Sequence, residues 1–214
     1  MEITYLGHSS FKLRGKAATV VTDPFDPAFV GLKFPKHTVA DIVTVSHNHQ
    51  DHNAVGQVEE SPFVVNGQGE YEIKGVGIVG LSVFHDDSQG SARGKNTIYR
   101  IEIDGVSVVH LGDIGHTLNG SQVDGLDGVD VLLVPVGGVY TIDAAKAITI
   151  IHELEPSIVI PMHFGRPELD QKAFGELSPI GVFLKEIGKD SVPQAKLSVT
   201  KDKIPEEMQV VVLE

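Results

Sequence analysis

Cysteine is absent from the 214 residues, which excludes thiolate metal sites, thiol nucleophiles and redox motifs and is compatible with a reducing compartment. Basic charge is scarce: 17 Lys and Arg stand against 29 Asp and Glu, a formal net charge of −12. A general binder of nucleic acid or of an anionic membrane wants the opposite sign. No run of Lys or Arg is long enough to make a local exception. No apolar stretch approaches the roughly 20 residues that a bilayer-spanning helix needs. The opening residues, Met1-Glu2-Ile3-Thr4-Tyr5-Leu6-Gly7, lack the basic start and apolar core of a secretory signal. A Gly-x-Ser-x-Gly nucleophile elbow is missing as well. The expectation is a cytoplasmic protein that meets a small-molecule substrate, with no membrane and no nucleic-acid partner, and with a homo-oligomer left open.

What is present is ordinary globular material, 41% apolar and 21% charged, enough to bury a core without disulfides. Short apolar runs at 3–6, 10–13, 18–22, 42–45, 63–65, 70–74, 76–84, 97–103 and 106–111 read as strands. Asp104-Gly105 marks a hairpin turn, and residues 23–40, with Pro24, Pro27 and Pro35, read as a loop. The second half alternates strand and helix. Strands are expected at 131–134, 157–160, 197–199 and 209–213, and helices from Thr141 to before Pro156 and over 179–187. Thr141 is the expected N-cap, with Asp143 in the first turn, and Gly188 the expected stop of the second helix. No linker or repeat divides residues 1–214, so one domain is expected, a sheet-on-sheet core with helices outside.

One short segment, His47-Asn48-His49-Gln50-Asp51-His52, gathers four metal-ligand side chains just past a strand. Imidazole and carboxylate donors suit zinc, and also manganese, iron or nickel. In extended backbone His47 and His49 would project to the same side, with Asp51 and His52 following at a turn and facing a second position. Three further candidates lie just beyond apolar runs, where a sheet delivers side chains to one edge: His85, Asp113 and His163.

This series resembles the ligand set of the metallo-β-lactamase superfamily. Leu6-Gly7-His8, Asp23-Pro24, Gly69-Glu70-Tyr71-Glu72, His110-Leu111-Gly112-Asp113, Pro135-Val136-Gly137-Gly138 and Pro161-Met162-His163 are similar to its branch of metal-dependent hydrolases related to L-ascorbate-6-phosphate lactonase and N-acyl-phosphatidylethanolamine phospholipase D. The resemblance implies an α/β fold, a four-layer αββα sandwich with the metal site at one edge. It also implies two divalent metal ions, Zn2+ foremost, with His47, His49 and His85 on one, Asp51, His52 and His163 on the other, and Asp113 bridging. Two such metals acidify a shared water and generate hydroxide, and Asp51 is placed to orient it and pass on its proton.

Around this set, Asp23 is the candidate to hold a ligand histidine, since metal-bound imidazoles donate their other N–H to a carboxylate or carbonyl. His116, three residues past Asp113, is the candidate to meet substrate. His8 reads equally as pocket-lining or structural. His110 reads as a core histidine, and His37 and His152 as surface ones. Arg93 and Arg166 are candidate anion holders, though solvated loop arginines are common, and Tyr140 is either a substrate partner or packing. The expected function is hydrolysis of a small ester, lactone or phosphorylated metabolite. The alternatives are a phosphodiesterase or nuclease on the same centre, or a non-catalytic metal-binding protein.

Overall fold

Branched apolar residues at every second position and beyond fold into two packed sheets, and the computed structural model describes residues 1–214. In chain order the first strands are β1 (Glu2–Gly7), β2 (Ser10–Arg14), β3 (Thr19–Thr22), β4 (Ile42–Thr44) and β5 (Phe63–Val65). They are followed by β6 (Gly69–Ile73), β7 (Val76–Phe84), β8 (Lys95–Ile103), β9 (Val106–His110) and β10 (Val131–Pro135). The last three are β11 (Ile158–Met162), β12 (Leu197–Ser198) and β13 (Gln209–Val210). The helices are α1 (Pro27–Val30), α2 (Gly120–Gly125), α3 (Ala144–Leu154), α4 (Gln171–Phe174) and α5 (Ile180–Ile187). None is long and apolar enough to cross a membrane.

The first sheet runs β12-β1-β2-β3-β4-β5 and the second β13-β11-β10-β9-β8-β7-β6. Alternation along each strand explains the layers. Val20, Ile42, Ile101, Val108, Leu133 and Ile160 point between the sheets, in a cluster of 23 buried residues. Their chain neighbours point outward. Val109, Leu132 and Val159 meet Ala147, Ile150 and Ile151 of α3 and Phe183 of α5 in a second cluster of 21. Val21 and Val43 meet Phe25, Val30, Leu169 and Phe174 in a third of 12. That third layer is thin because α1 and α4 are single turns, but the order is helix, sheet, sheet, helix, the αββα arrangement expected. Both ends of the chain are tied in: β12 pairs with β1, and β13 pairs with β11.

Two local expectations are corrected. The segment 23–40 is not all loop, because Asp26 caps α1 by accepting from the Ala28 N–H, with Pro27 at the first helical position. The cap of α3 is Asp143 rather than Thr141. Asp143 is extended (ψ 178) and accepts from the Lys146 N–H at 2.9 Å, whereas the Thr141 hydroxyl donates to the Ile142 carbonyl.

Strand direction positions the site. β9, β10 and β11 are parallel, as are β3, β4 and β5, and β7 runs with β9 because each is antiparallel to β8. The residues that follow β4, β7, β9 and β11 therefore arrive at one edge between the two sheets.

Candidate metal centre

After β4 the chain does not stay extended. The His52 and Asn53 N–H groups both donate to the His49 carbonyl, at 2.9 and 3.0 Å, closing a tight turn. Residues 46–49 are themselves bends beyond β4, so the expectation of an extended His47–His49 pair is corrected, though the two side chains still meet. Their rings lie 4.5 Å apart, nearly perpendicular, and His85 comes within 4.6 Å of His47 from the end of β7.

Three sets of potential ligand atoms result, each with its atoms within 4.8 Å of one another: His47, His49 and His85; His47, His52 and Asp113; and His8, Asp51, His52 and His163. Asp113 is central. Its Oδ2 lies 3.2 Å from His52 Nε2, 3.3 Å from His163 Nε2, 3.6 Å from His85 Nε2 and 4.0 Å from His47 Nε2. Asp51 Oδ2 lies 3.1 Å from His8 Nε2, 3.5 Å from His52 Nε2 and 4.0 Å from His163 Nε2. Donors about 2.0–2.2 Å from a tetrahedral Zn2+ stand roughly 3.3–3.6 Å apart, so these separations fit a metal. So does the polar bookkeeping. His47 Nε2, His52 Nε2, His163 Nε2 and Asp113 Oδ1 are buried without hydrogen-bond partners, an arrangement that costs free energy unless a cation completes it.

The electrostatics point the same way. Burial pushes His47 down to about 3 and His8 down to about 4, and lowers His85 also, so these imidazoles are neutral at pH 7 and free to coordinate. Burial opposes charging His52 as well, but the Asp113 and Asp51 carboxylates raise it well above the usual range. Burial works to raise Asp113 and Asp51. The imidazoles of His163 and His52 around the first, and of His52 and His8 around the second, hold both carboxyls below their usual range instead.

A frame of hydrogen bonds aims these groups. Asp23, buried just past β3, accepts from the Ser46 N–H at 2.7 Å, from the Ser46 hydroxyl, and from His52 Nδ1–H at 2.8 Å. His47 Nδ1 in turn contacts Ser46 Oγ at 2.9 Å. Both imidazoles are thereby turned with Nε2 towards the centre, the role expected of Asp23. Asn96 accepts from the Asp113 N–H and donates to the Leu111 carbonyl, fixing the loop after β9. Gly112 in that loop has φ +55, and a Cβ there would lie 2.3 Å from Asn96 Oδ1. Gly137 lets the loop after β10 press on the His163 backbone, where a Cβ would be 2.1 Å from the His163 carbonyl oxygen. His8, Asp23 and His163 all have positive φ, at 54°, 39° and 50°. Such strain collects at sites that the surrounding structure over-determines.

The remaining candidates separate cleanly. His8 is fully inside the site: its ring lies 4.1 Å from that of His163, and its carbonyl accepts from the His163 N–H. His116 is corrected. Its Nε2 accepts from the Phe84 N–H and its Nδ1 donates to the Thr117 carbonyl, so both nitrogens serve the backbone and the ring does not line the cavity. His110 is structural as expected, donating from Nε2 to the Ser9 carbonyl. His37 pairs with Glu59 on the surface and His152 is exposed on α3. Arg166 faces Glu168 at 3.5 Å and does not line the site cavity. Arg93 and Tyr140 do line that cavity, together with His49, Asp51, His85 and Asp113, around a volume of about 380 Å3. Ser46 and Asn96 carry no signal in the sequence, since a lone serine or asparagine at a strand end has no telling spacing.

A family model described as a beta-lactamase superfamily domain matches residues 2–163. A proposed Zn-dependent hydrolase of the metallo-beta-lactamase superfamily from Thermotoga maritima is 37% identical to this chain, and the match covers 100% of this chain and 98% of that one, with a TM-score of 0.81. A UPF0173 metal-dependent hydrolase from Staphylothermus marinus is 30% identical, covering 87% of this chain and 96% of its own length. Another from Methanopyrus kandleri is 28% identical, covering 80% of this chain and 87% of its own. The chain belongs to the metallo-beta-lactamase superfamily, among its UPF0173 metal-dependent hydrolases.

Proposed function

We propose that residues 1–214 form one binuclear hydrolase domain that cleaves a small ester, lactone or phosphorylated metabolite. His47, His49 and His85 would hold one divalent cation and Asp51, His52 and His163 the other, with Asp113 shared. The observation that carries this is the position of Asp113 Oδ2, within 3.2–3.6 Å of His52, His163 and His85, and so between the two ligand groups. The all-nitrogen-and-oxygen donor set favours Zn2+, with Mn2+, Fe2+ and Ni2+ also compatible. Divalent cations at such a centre supply Lewis acidity and a hydroxide nucleophile at neutral pH.

The chain's own groups do the positioning. Asp51 faces the cavity, and His8 Nε2 and His52 Nε2 both approach its Oδ2, at 3.1 and 3.5 Å. Kept anionic, Asp51 accepts a hydrogen bond from an attacking water and so orients it. Asp23 and Ser46 fix the tautomers of His52 and His47. The cavity, at about 380 Å3, is near the small end of ligand pockets, which suits a metabolite better than a polymer. Phosphorylated lactones are among the first substrates to try. A panel of lactones, phosphomonoesters and phosphodiesters tests the reading. Turnover should appear only with metal and be abolished by His49→Ala; full activity in chelator-stripped protein would refute it.

A further inference from the structure

The cavity beside the metal ligands holds one guanidinium and no lysine: among its lining side chains only Arg93 is a permanent cation. Arg93 makes no ion pair with a carboxylate; the permanent cations that do are the amino terminus, Lys74, Arg166, Lys196 and Lys201.

Arg93 is nevertheless held in place. The Asp86 carboxylate accepts four backbone N–H groups: Ser88 and Gly90 at 2.8 Å on Oδ1, Ala92 at 3.0 Å and Arg93 at 2.7 Å on Oδ2. That wraps the segment after His85 around one buried side chain and fixes where Arg93 begins. Its guanidinium carbon then sits 4.8 Å above the centroid of the Tyr140 ring, within cation–π range. The ring is itself anchored, since the Tyr140 hydroxyl donates to the Ala173 carbonyl at 2.6 Å. Beyond it, Phe174 stands edge-on to Tyr140 and Phe29 edge-on to Phe174. The cavity therefore has a metal-ligand floor, an aromatic wall and a single positioned cation.

We propose that Arg93 is the specificity-determining residue of this cavity, and that the substrate is an ester or lactone bearing a carboxylate or phosphate that the guanidinium grips. The proposal rests on the hydrolase reading above and names its substrate class. A guanidinium presents paired donors that match an oxyanion, and the Tyr140 face orients the plane of those donors without neutralising their charge. The aromatic wall takes the apolar body of the substrate, which leaves the scissile group facing His49, Asp51 and Asp113. A neutral substrate has no use for such a cation, and the protein's overall negative charge would repel an anionic one that lacked it.

Two arms test this on the zinc-loaded chain, with metal content measured for each protein. The first compares mono-4-nitrophenyl succinate with 4-nitrophenyl butyrate, esters with a common leaving group. Arg93→Gln should lower the ratio of kcat/KM for the anionic over the neutral ester by about 10- to 100-fold, mostly through KM, as expected for a lost charge-assisted hydrogen bond. Arg93→Lys should restore part of it. An unchanged ratio overturns the proposal. The second arm needs no turnover: calorimetric titration with 4-nitrobenzoate and 4-nitrobenzamide. Wild type should bind the benzoate at least tenfold more tightly than Arg93→Gln does, with the amide indifferent to the change. Equal benzoate affinities overturn the role of Arg93, whereas absence of turnover of every ester by wild type counts against the hydrolase reading alone.

Discussion

At His52 the two ring nitrogens face different partners: Nδ1 donates to Asp23 at 2.8 Å, while Nε2 lies 3.2 Å from Asp113 and 3.5 Å from Asp51. Without a cation the two carboxylates raise His52 well above its usual pKa, so near pH 7 the metal-free ring is protonated. A ligating imidazole must be neutral. His47 and His8, held at about 3 and about 4, are already neutral at that pH and have no proton to give. Metal uptake near pH 7 is therefore expected to release about one proton per chain from His52, in addition to any lost by metal-acidified water, and the His52 share should fall as pH rises through its raised pKa. Calorimetric metal titrations in buffers of different ionisation enthalpy read this directly. Zero release at pH 7 would mean that His52 is not the charged group. Much of this site was legible in the sequence, because the six-residue cluster declares its chemistry by composition alone. The part that was not legible depends on the turn between β1 and β2. His8 reads as a lone histidine until that turn folds over Asp51 and His163, and His116 looks poised until its two nitrogens are seen bonded to backbone.

At the scale of elements, the strands were readable because β3, β4, β10 and β11 are buried on both faces and so appear as unbroken apolar runs. The short helices were not. α1 and α4 have four residues each and α2 six, too few for a 3.6-residue period to show. For α2 a usable signal existed in Asn119-x-x-Gln122, which forms a reciprocal capping box. At the start of α3, Thr141 and Asp143 are both good cap types, and only backbone geometry chooses between them. The loops that leave the strands carry the tightest requirement. An alanine methyl at Gly137 would meet the His163 carbonyl oxygen at 2.1 Å, and that atom belongs to backbone that cannot swing away. Gly137→Ala should therefore destabilise by about 1–3 kcal/mol, as overpacking typically does, with roughly 2–4 °C of Tm lost per kcal/mol at this chain size. Thermal unfolding of the variant checks it, and an unchanged Tm would show that the loop after β10 is not pressed against His163.

For the molecule as a whole, two sheets bring the ends of β1, β3, β4, β7, β9 and β11 to one edge, so a site spread from His8 to His163 needs no dedicated scaffold. Helical layers of very unequal thickness cover the two outer faces. The thinner one, with Phe29 and Phe174, also supplies the wall of the cavity, which links the modest packing over the first sheet to substrate access. The overall fold could be anticipated from strand spacing and motif likeness, whereas the cavity could not, since it is made by loops whose shapes depend on contacts such as those of Asp86 and Tyr140. One edge of this sandwich is proposed to hold two cations around Asp113. The most direct measurement is the equilibrium stoichiometry of Zn2+ on the apo chain, followed by elemental analysis of the reconstituted protein. About two equivalents per chain are expected, as for paired-metal centres generally, falling towards one in His49→Ala because His49 belongs to a single ligand group. A wild-type chain that saturates at one equivalent, or a His49→Ala variant that still binds the full complement with undiminished affinity, would contradict that proposal.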